Sequence, residues 1–395
     1  MELLSPAGTL EKLEYAYAYG ADAAYVGMQE FSLRSRAGNI DDDQIEKLAK
    51  IKGDKKLYGA INSFFHEKDL GRLKERLAII KTYPFDALIV GDIGAAAILR
   101  DAFGEAMPLH LSTQANCLNS AAVKVYQDLG FSRIILGREV SLKEIATIKE
   151  ALPEMEIETF VHGAMCMAYS GRCLLSAFMS GRSANAGDCA HTCRWNYRLA
   201  LEEESRPGEY FPIAEEDGFT TILSSKDLCM IDHLDHLRSA GVDSVKIEGR
   251  MKSLYYVATV TRAYRKALDK AKDWPLYREE LFRVSHREYS TGFFFDKEEI
   301  SSPTEKSYIR KYLLIGTVEE EVEPSLYALN LKNRLASGTT IEYIGPDTLG
   351  IEDSTFTLLD ENGERVDVAN HHQKIFLKTD KLIDTKFIIR QKTSN

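Results

Sequence analysis

Short apolar runs recur along the N-terminal part of the chain, each followed by a stretch whose apolar positions repeat at helical spacing. The runs are LLSPA (3–7), AAYVG (23–27), LYGAIN (57–62), ALIVG (87–91), LHLSTQ (109–114), RIILG (133–137) and IETFVHG (157–163). Their hydrophobicity is continuous rather than alternating, which suits strands buried on both faces, as in a parallel sheet. Amphipathic stretches such as TLEKLEYAYAYG (9–20), EKDLGRLKERLAIIKTY (67–83) and SAAVKVYQDLG (120–130) lie between them. Gly20 and Gly130 fall where helix C-caps are expected. Seven strand-then-helix units are thus predicted. An eighth strand, SVKIEG (244–249), precedes the helix YYVATVTRAYRKALDKA (255–271). Eight such units predict an α/β fold, a (β/α)8 TIM-like barrel; a doubly wound open sheet is the competing arrangement.

Roughly 80 residues separate the seventh and eighth strands, far more than an ordinary connection needs. This insertion leaves the C-terminal face of the barrel, where barrel enzymes carry their chemistry. After residue 271 the pattern changes. WPLYREELFRVSHREYSTGFFF (274–295) is aromatic and basic, and from 311 onward short alternating strands are separated by turn signals such as ENGE (361–364). The expected organisation is a barrel over 1–271 with a cysteine-rich insertion at 163–243. A connecting segment follows over 272–310, then a small all-β barrel domain of five or six strands over 311–395.

Composition is that of a folded globular protein, 44% hydrophobic and 28% charged, and the net charge of −10 argues against a wholly basic nucleic-acid binder. The N-terminus lacks a basic segment followed by a long apolar core, and no apolar run is long enough to cross a membrane. The expected compartment is therefore cytoplasmic. Clustered cysteines there more often bind a metal or do redox chemistry than form disulfides.

Four of the six cysteines fall in CMAYSGRCLLSAFMSGRSANAGDCAHTC, with the spacing Cys166-x6-Cys173-x15-Cys189-x3-Cys193; Cys229 follows and Cys117 lies upstream. Zinc prefers two close pairs, and only Cys189 and Cys193 make one. An iron–sulfur cluster takes four thiolates at varied spacings because its ligands reach round a larger object. Burial as small hydrophobes fits each cysteine singly and the four together poorly. Glycines 163, 171, 181 and 187 would let such a segment fold round a cluster.

With these residues in view, ETFVHGAMCMAYSGRCLLS (158–176) resembles the signature of the U32 peptidase family, the collagenase-like proteases. LLSPAG (3–8), HLSTQ (110–114), GRE (137–139), GDCAHTCRW (187–195), SSKDLC (224–229) and VKIEGR (245–250) extend the resemblance in order along the chain. The β-rich tail is similar to the family's C-terminal domain. The branches resembled modify RNA or quinones, and the tail, which the quinone branch lacks, points to the branch that forms 5-hydroxyuridine at the wobble position of tRNA. The resemblance implies a 4Fe–4S cluster on Cys166, Cys173, Cys189 and Cys193. Cys229 is an alternative fourth ligand, and zinc could replace the cluster in aerobic preparations. It also implies prephenate as a hydroxyl donor and the tRNA anticodon loop as partner. A homo- or hetero-oligomer with a related chain is compatible with it. The alternative functions are a U32-type peptidase and a non-catalytic cluster scaffold that needs a partner.

For proteolysis the chain offers neither HExxH nor GxSxG. HLDH (233–236) places two histidines on one helix face, with no third ligand nearby in sequence. The polar residues at strand ends are the catalytic candidates: His162, Gln114, Lys246, Glu248 and Arg250 first, then Asn62, Asp92, Ser112, Arg138 and Glu139. Lys246, Glu248 and Arg250 share one face by period two. They form either a salt-bridge layer inside the barrel or an anion site for a dicarboxylate. Arg194, Trp195 and Arg198 combine charge with a stacking ring and are the RNA-binding candidates.

Overall fold

The computed structural model describes residues 1–28, 30–32, 40–166, 168–195, 200–202, 210–212, 225–295 and 308–393. Eight parallel strands form the barrel: β1 (Glu2–Pro6), β2 (Ala23–Gly27), β3 (Lys56–Ile61), β4 (Ala87–Val90), β5 (Leu109–Leu111), β6 (Phe131–Ile135), β7 (Glu156–Ala164) and β8 (Ser244–Ile247). They pair in chain order, and β8 pairs with both β7 and β1, which closes the sheet. Val, Ile, Leu and Ala of these strands are almost wholly buried, as parallel strands covered by helices require.

Helices α1 (Leu10–Ala18), α2 (Ile45–Lys52), α3 (Glu67–Ile80), α4 (Ile93–Phe103), α5 (Ser120–Asp128) and α6 (Leu142–Ala151) follow the first six strands. The insertion carries α7 (Leu175–Ser180) and α8 (Leu234–Ser239), and α9 (Leu254–Leu268) follows β8. Side chains of Thr9, Asp92, Asn119, Ser141 and Ser253 accept a backbone N–H in the first turn of their helices. Each such cap is worth about 1 kcal/mol. Asp92, a candidate for chemistry by its position, is engaged in this way with Ala95 N.

Near the N-terminal end of the barrel a charged layer fills the lumen. Glu158 accepts from Lys246 Nζ at 3.0 Å, Arg133 Nη1 at 3.1 Å and Ser244 Oγ at 2.9 Å. Arg133 also reaches Glu2 at 2.5 Å, which Tyr58 contacts at 2.9 Å. Lys246 and Arg133 together hold the Glu158 carboxyl below the usual carboxylate range, although burial opposes this.

The insertion does not only loop outward. Its short strand Asp227–Cys229 adds antiparallel to β7, and Tyr289–Ser290 pairs with it in turn. A buried ion pair, Arg287 to Asp227 at 2.7 Å, fastens this extension.

The C-terminal part is an antiparallel curled sheet of eight strands, built around β9 (Tyr312–Glu323) and β10 (Leu326–Leu331). The sequence predicts five or six. The additional ones, such as Ile351–Asp353 and Arg365–Val366, are too short for alternation to register. Its Ile344 and Ile388 join the barrel core. Helix α10 (Trp274–Glu280) lies between the two parts, and buried Arg390 binds Glu280 of α10, Tyr255 of α9 and Glu342 of the sheet. Tyr19 and Tyr277 donate to the carbonyls of Ile344 and Asp347 at 3.0 and 2.9 Å. No described helix is long and apolar enough to cross a membrane.

Candidate active site at the open end of the barrel

A cavity of about 250 Å³ lies between the C-terminal ends of the strands and the cysteine segment. Its floor and walls come from residues at or just beyond strand ends: Tyr25, Asn62, Ser112, Gln114, Arg138, Phe160, Lys246, Glu248 and Arg250. Its cover comes from Cys166, Cys173, Cys189, Cys193, His191 and Arg194. The four clustered cysteines thus face one space, and all are free thiols.

Local contacts seat the cover. The Met165 carbonyl, just before Cys166, accepts from Ser225 Oγ at 2.8 Å, Arg194 Nη2 at 3.4 Å and Arg287 Nη2 at 3.5 Å. Ser170 N donates to Glu139 at 2.9 Å, so the candidate Glu139 serves to hold the segment down. Cys173 N donates to Asn185, and Ala190 N to Ser176 Oγ. Gly171 has φ +70°, and a Cβ there would collide with the Gln114 carbonyl, so only glycine lets the segment press onto the end of β5. His191 N donates to Cys189 Sγ at 3.4 Å, the kind of amide-to-sulfur contact that steadies a thiolate ligand.

The thiols sense one another. Burial pushes the Cys193 thiol up, Arg194 opposes this, and Cys166, Cys189 and Cys173 each add to the rise through like charge. Among the described residues, no group of three or more His, Cys, Asp or Glu closes tightly enough to hold a single metal ion. The four thiols line one cavity, and this donor set is the one that could hold a cluster.

Among the described residues that line the cavity, cations outnumber carboxylates. Four cations, Arg138, Arg194, Lys246 and Arg250, line it with one carboxylate, Glu248. Glu248 and Arg138 pair at 3.5 Å, and the Arg138 guanidinium lies 4.1 Å from the Phe160 ring centroid. Lys246 belongs to two places at once: it pairs with Glu158 below and reaches the cavity floor above, its ammonium 4.3 Å from the Tyr25 ring. Arg250 bonds Ser32. Asn62 donates to Ser112 Oγ, which also accepts from Gln114 N.

Two expected residues lie elsewhere. His162 is buried behind the barrel wall, its ring 5.4 Å from Tyr264, 5.3 Å from Tyr289 and 5.9 Å from Tyr256. The reason is a register shift. Phe160 pairs with Lys246, but the next pair is His162 with Ile247, so Val161 is skipped and the side-chain alternation inverts. Phe160 faces the cavity, and His162 turns outward toward α9. Burial drops its pKa to about 3 and keeps it neutral. Cys229, the alternative fourth ligand, does not line the cavity. It sits on the added strand within reach of Tyr264 Oη at 4.0 Å, and burial pushes its thiol up to about 11. Trp195 is half-exposed beside the cavity, and Arg198 lies outside the described residues. His191 and Phe160 carry no motif of their own; the signal for His191 was its place inside the Cys189–Cys193 pair.

Both parts of the chain match models of one family of known proteins. Residues 8–303 match Peptidase family U32, and residues 310–390 match the Peptidase family U32 C-terminal domain. The chain belongs to Peptidase family U32. It is 37% identical to tRNA hydroxylation protein P of Escherichia coli, over 87% of this chain and 86% of that protein. It is 35% identical to tRNA hydroxylation protein P1 of Bacillus subtilis, over 99% of this chain and 94% of the relative. A third U32 relative, the 23S rRNA 5-hydroxycytidine C2501 synthase of E. coli, is 36% identical over 68% of this chain and 39% of its own length.

Proposed function

We propose that this U32 chain is an RNA-hydroxylating enzyme acting on tRNA. In this reading it replaces C5–H of the wobble uridine by C5–OH with the help of a 4Fe–4S centre on Cys166, Cys173, Cys189 and Cys193. One observation carries the reading. Four thiols and four cations line a single cavity at the open end of the barrel, in a chain that aligns almost end to end with proteins named for tRNA hydroxylation.

Several features support it. Four thiols that line one cavity, only two of them closely spaced in sequence, suit a polynuclear cluster better than one tetrahedral zinc. Held by these four cysteines, such a cluster would supply electron transfer. The chain's own residues do the rest. The excess of cations favours anions, whether phosphates or the two carboxylates of a donor such as prephenate, with Arg138, Arg250 and Lys246 as the groups to hold them. Hydroxylation at C5 is a two-electron oxidation, so it needs a donor whose C–O bond breaks as the C5–O bond forms, and which is left reduced by two electrons and takes up the C5 proton; prephenate is the donor the family resemblance implies. Asn62, Ser112 and Gln114 present amide and hydroxyl groups to a base edge. An anticodon-loop base is already unpaired, which lowers the cost of drawing it into a pocket.

A peptidase is the second reading. The family's name carries it, and His191 shares the cavity with the thiols. Nucleoside mass spectrometry of bulk tRNA separates the two. Deleting the gene should remove 5-hydroxyuridine-derived nucleosides, the wild-type chain should restore them, and Cys173→Ser should not. An unchanged nucleoside profile, with gelatin cleaved by the anaerobically purified chain, would favour the peptidase.

A further inference from the structure

A second concavity adjoins the cavity. It is an open groove of about 600 Å³ between the barrel mouth and the C-terminal sheet. His191, Arg194 and Glu248 form the wall that cavity and groove share. Beyond that wall the groove is aromatic and basic: Trp195 and Lys252 from the barrel part, Tyr308, Arg310 and Tyr312 from the segment entering the sheet.

These groups are arranged to receive something flat and negatively charged. Trp195 Nε1 donates to the Ala190 carbonyl at 3.2 Å, which orients the indole, yet 43% of the residue stays exposed. Lys252 Nζ lies 4.6 Å from the Tyr308 ring centroid and 5.1 Å from that of Tyr256. Among the described residues, Arg194, Lys252 and Arg310 form no ion pair with a carboxylate, and the buried Arg194 Nε has no hydrogen-bond partner. By contrast, Arg390, Arg287 and Arg133 are all neutralised by partners. The groove also contains Ser253, at the start of the fifteen-residue helix α9, whose terminal dipole adds to the positive field.

Resting on the RNA reading above, we propose that this groove is the binding site for the single strand next to the reacting nucleotide. A neighbouring base stacks on Trp195, and its phosphates are held by Lys252 and Arg310. Cations beside exposed rings are the pattern by which proteins hold unpaired RNA. The continuous wall sets the geometry: a strand lying in the groove delivers its next base past Arg194 into the cavity. It also gives the C-terminal sheet a task, since that sheet and its leading segment supply one side of the groove. A peptide is the competing occupant, but it would not call for several cations without carboxylate partners.

The chain has two tryptophans, Trp195 and Trp274. In a Trp274→Phe background the emission of Trp195 therefore reports on the groove alone. The experiment titrates the anaerobically purified full-length chain with an unmodified tRNA transcript and with a single-stranded oligoribonucleotide, following RNA anisotropy and Trp195 emission together. The proposal expects Trp195 quenching that tracks binding. It also expects about fivefold or greater weakening by Trp195→Ala, with recovery in Trp195→Phe. Arg310→Gln should lower the salt dependence of binding by about one ion. Saturable RNA binding with unchanged Trp195 emission and wild-type affinity in both variants would overturn the groove assignment alone. Absence of RNA binding by the wild-type chain would overturn the RNA reading as well, as would quenching by a collagen-like peptide but not by RNA.

Discussion

Two charged layers lie one above the other in the barrel, and their accounts balance differently. In the layer nearer the N-terminal end, Glu2 and Glu158 face Arg133 and Lys246, and Tyr58 and Ser244 satisfy remaining oxygens. In the layer at the mouth, the described residues that line the cavity include Arg138, Arg194, Lys246 and Arg250 beside the carboxylate of Glu248, with Lys246 also paired to Glu158 below. Burying ions is costly, so the lower layer exists only because each charge has a partner. Among its described lining residues the upper layer holds more cations than carboxylates, which favours an anion arriving from outside. Balance marks a structural role and imbalance marks a binding role; Lys246, which touches both, ties the position of one to the rigidity of the other.

Substitutions test that contrast. The largest effect is expected from Glu158→Ala, which strands Lys246 and Arg133 in a dry lumen and should cost about 3–5 kcal/mol in urea unfolding of the barrel. A loss under about 1 kcal/mol would erase the distinction between the layers.

Acid comes next. His162 is neutral in the fold, with a pKa near 3 against about 6.5 when unfolded. The unfolded chain therefore binds the extra proton, and the stability His162 confers is complete above pH 6.5 and is lost as pH falls toward 3. At pH 4 the loss should be about 3 kcal/mol, at roughly 1.4 kcal/mol per pH unit below 6.5. His162→Gln should flatten this part of the stability–pH curve and leave hydroxylation at neutral pH in place, since the side chain lies outside the cavity. Abolished activity in a folded variant would restore His162 to the site.

Gly171→Ala should act locally. Its positive φ and the nearby Gln114 carbonyl set a strain of roughly 1–3 kcal/mol, relieved by lifting the cysteine segment. Faster amide exchange over 166–193 with an unchanged barrel core is the expected result; uniform destabilisation would mean the segment is not a separate unit.

The smallest stability change, about 1 kcal/mol, is expected for Glu248→Gln, which keeps the side chain's shape and polarity and whose contact with Arg138 is long, at 3.5 Å. The same variant should lower the fraction of hydroxylated tRNA. A loss as large as that of Glu158→Ala would make the upper layer structural too.

Much of this was legible in the sequence. Seven continuous apolar runs such as ALIVG (87–91) mark strands buried on both faces, and with the alternating eighth, SVKIEG (244–249), they make a closed barrel. KIEGR places Lys246, Glu248 and Arg250 on one face by its period of two; all three line the cavity, and Lys246 also belongs to the salt-bridge layer below. What escaped the pattern was geometry that no periodicity encodes. A single skipped residue, Val161, turns His162 away from the mouth. Residues 227–229, read as insertion, add to the sheet and carry Cys229 off with them. Glu158, inside an apolar run, reveals its role only once Lys246 and Arg133 are seen around it.

The central claim is that four particular thiols share one inorganic centre. Iron and acid-labile sulfide should be quantified in the anaerobically purified full-length chain and in serine variants of Cys166, Cys173, Cys189, Cys193 and Cys229. The account predicts about four irons and four sulfides per chain, lost in each of the first four variants and retained in Cys229→Ser. A chain without iron, or one in which Cys229→Ser empties the centre while Cys193→Ser does not, would contradict it.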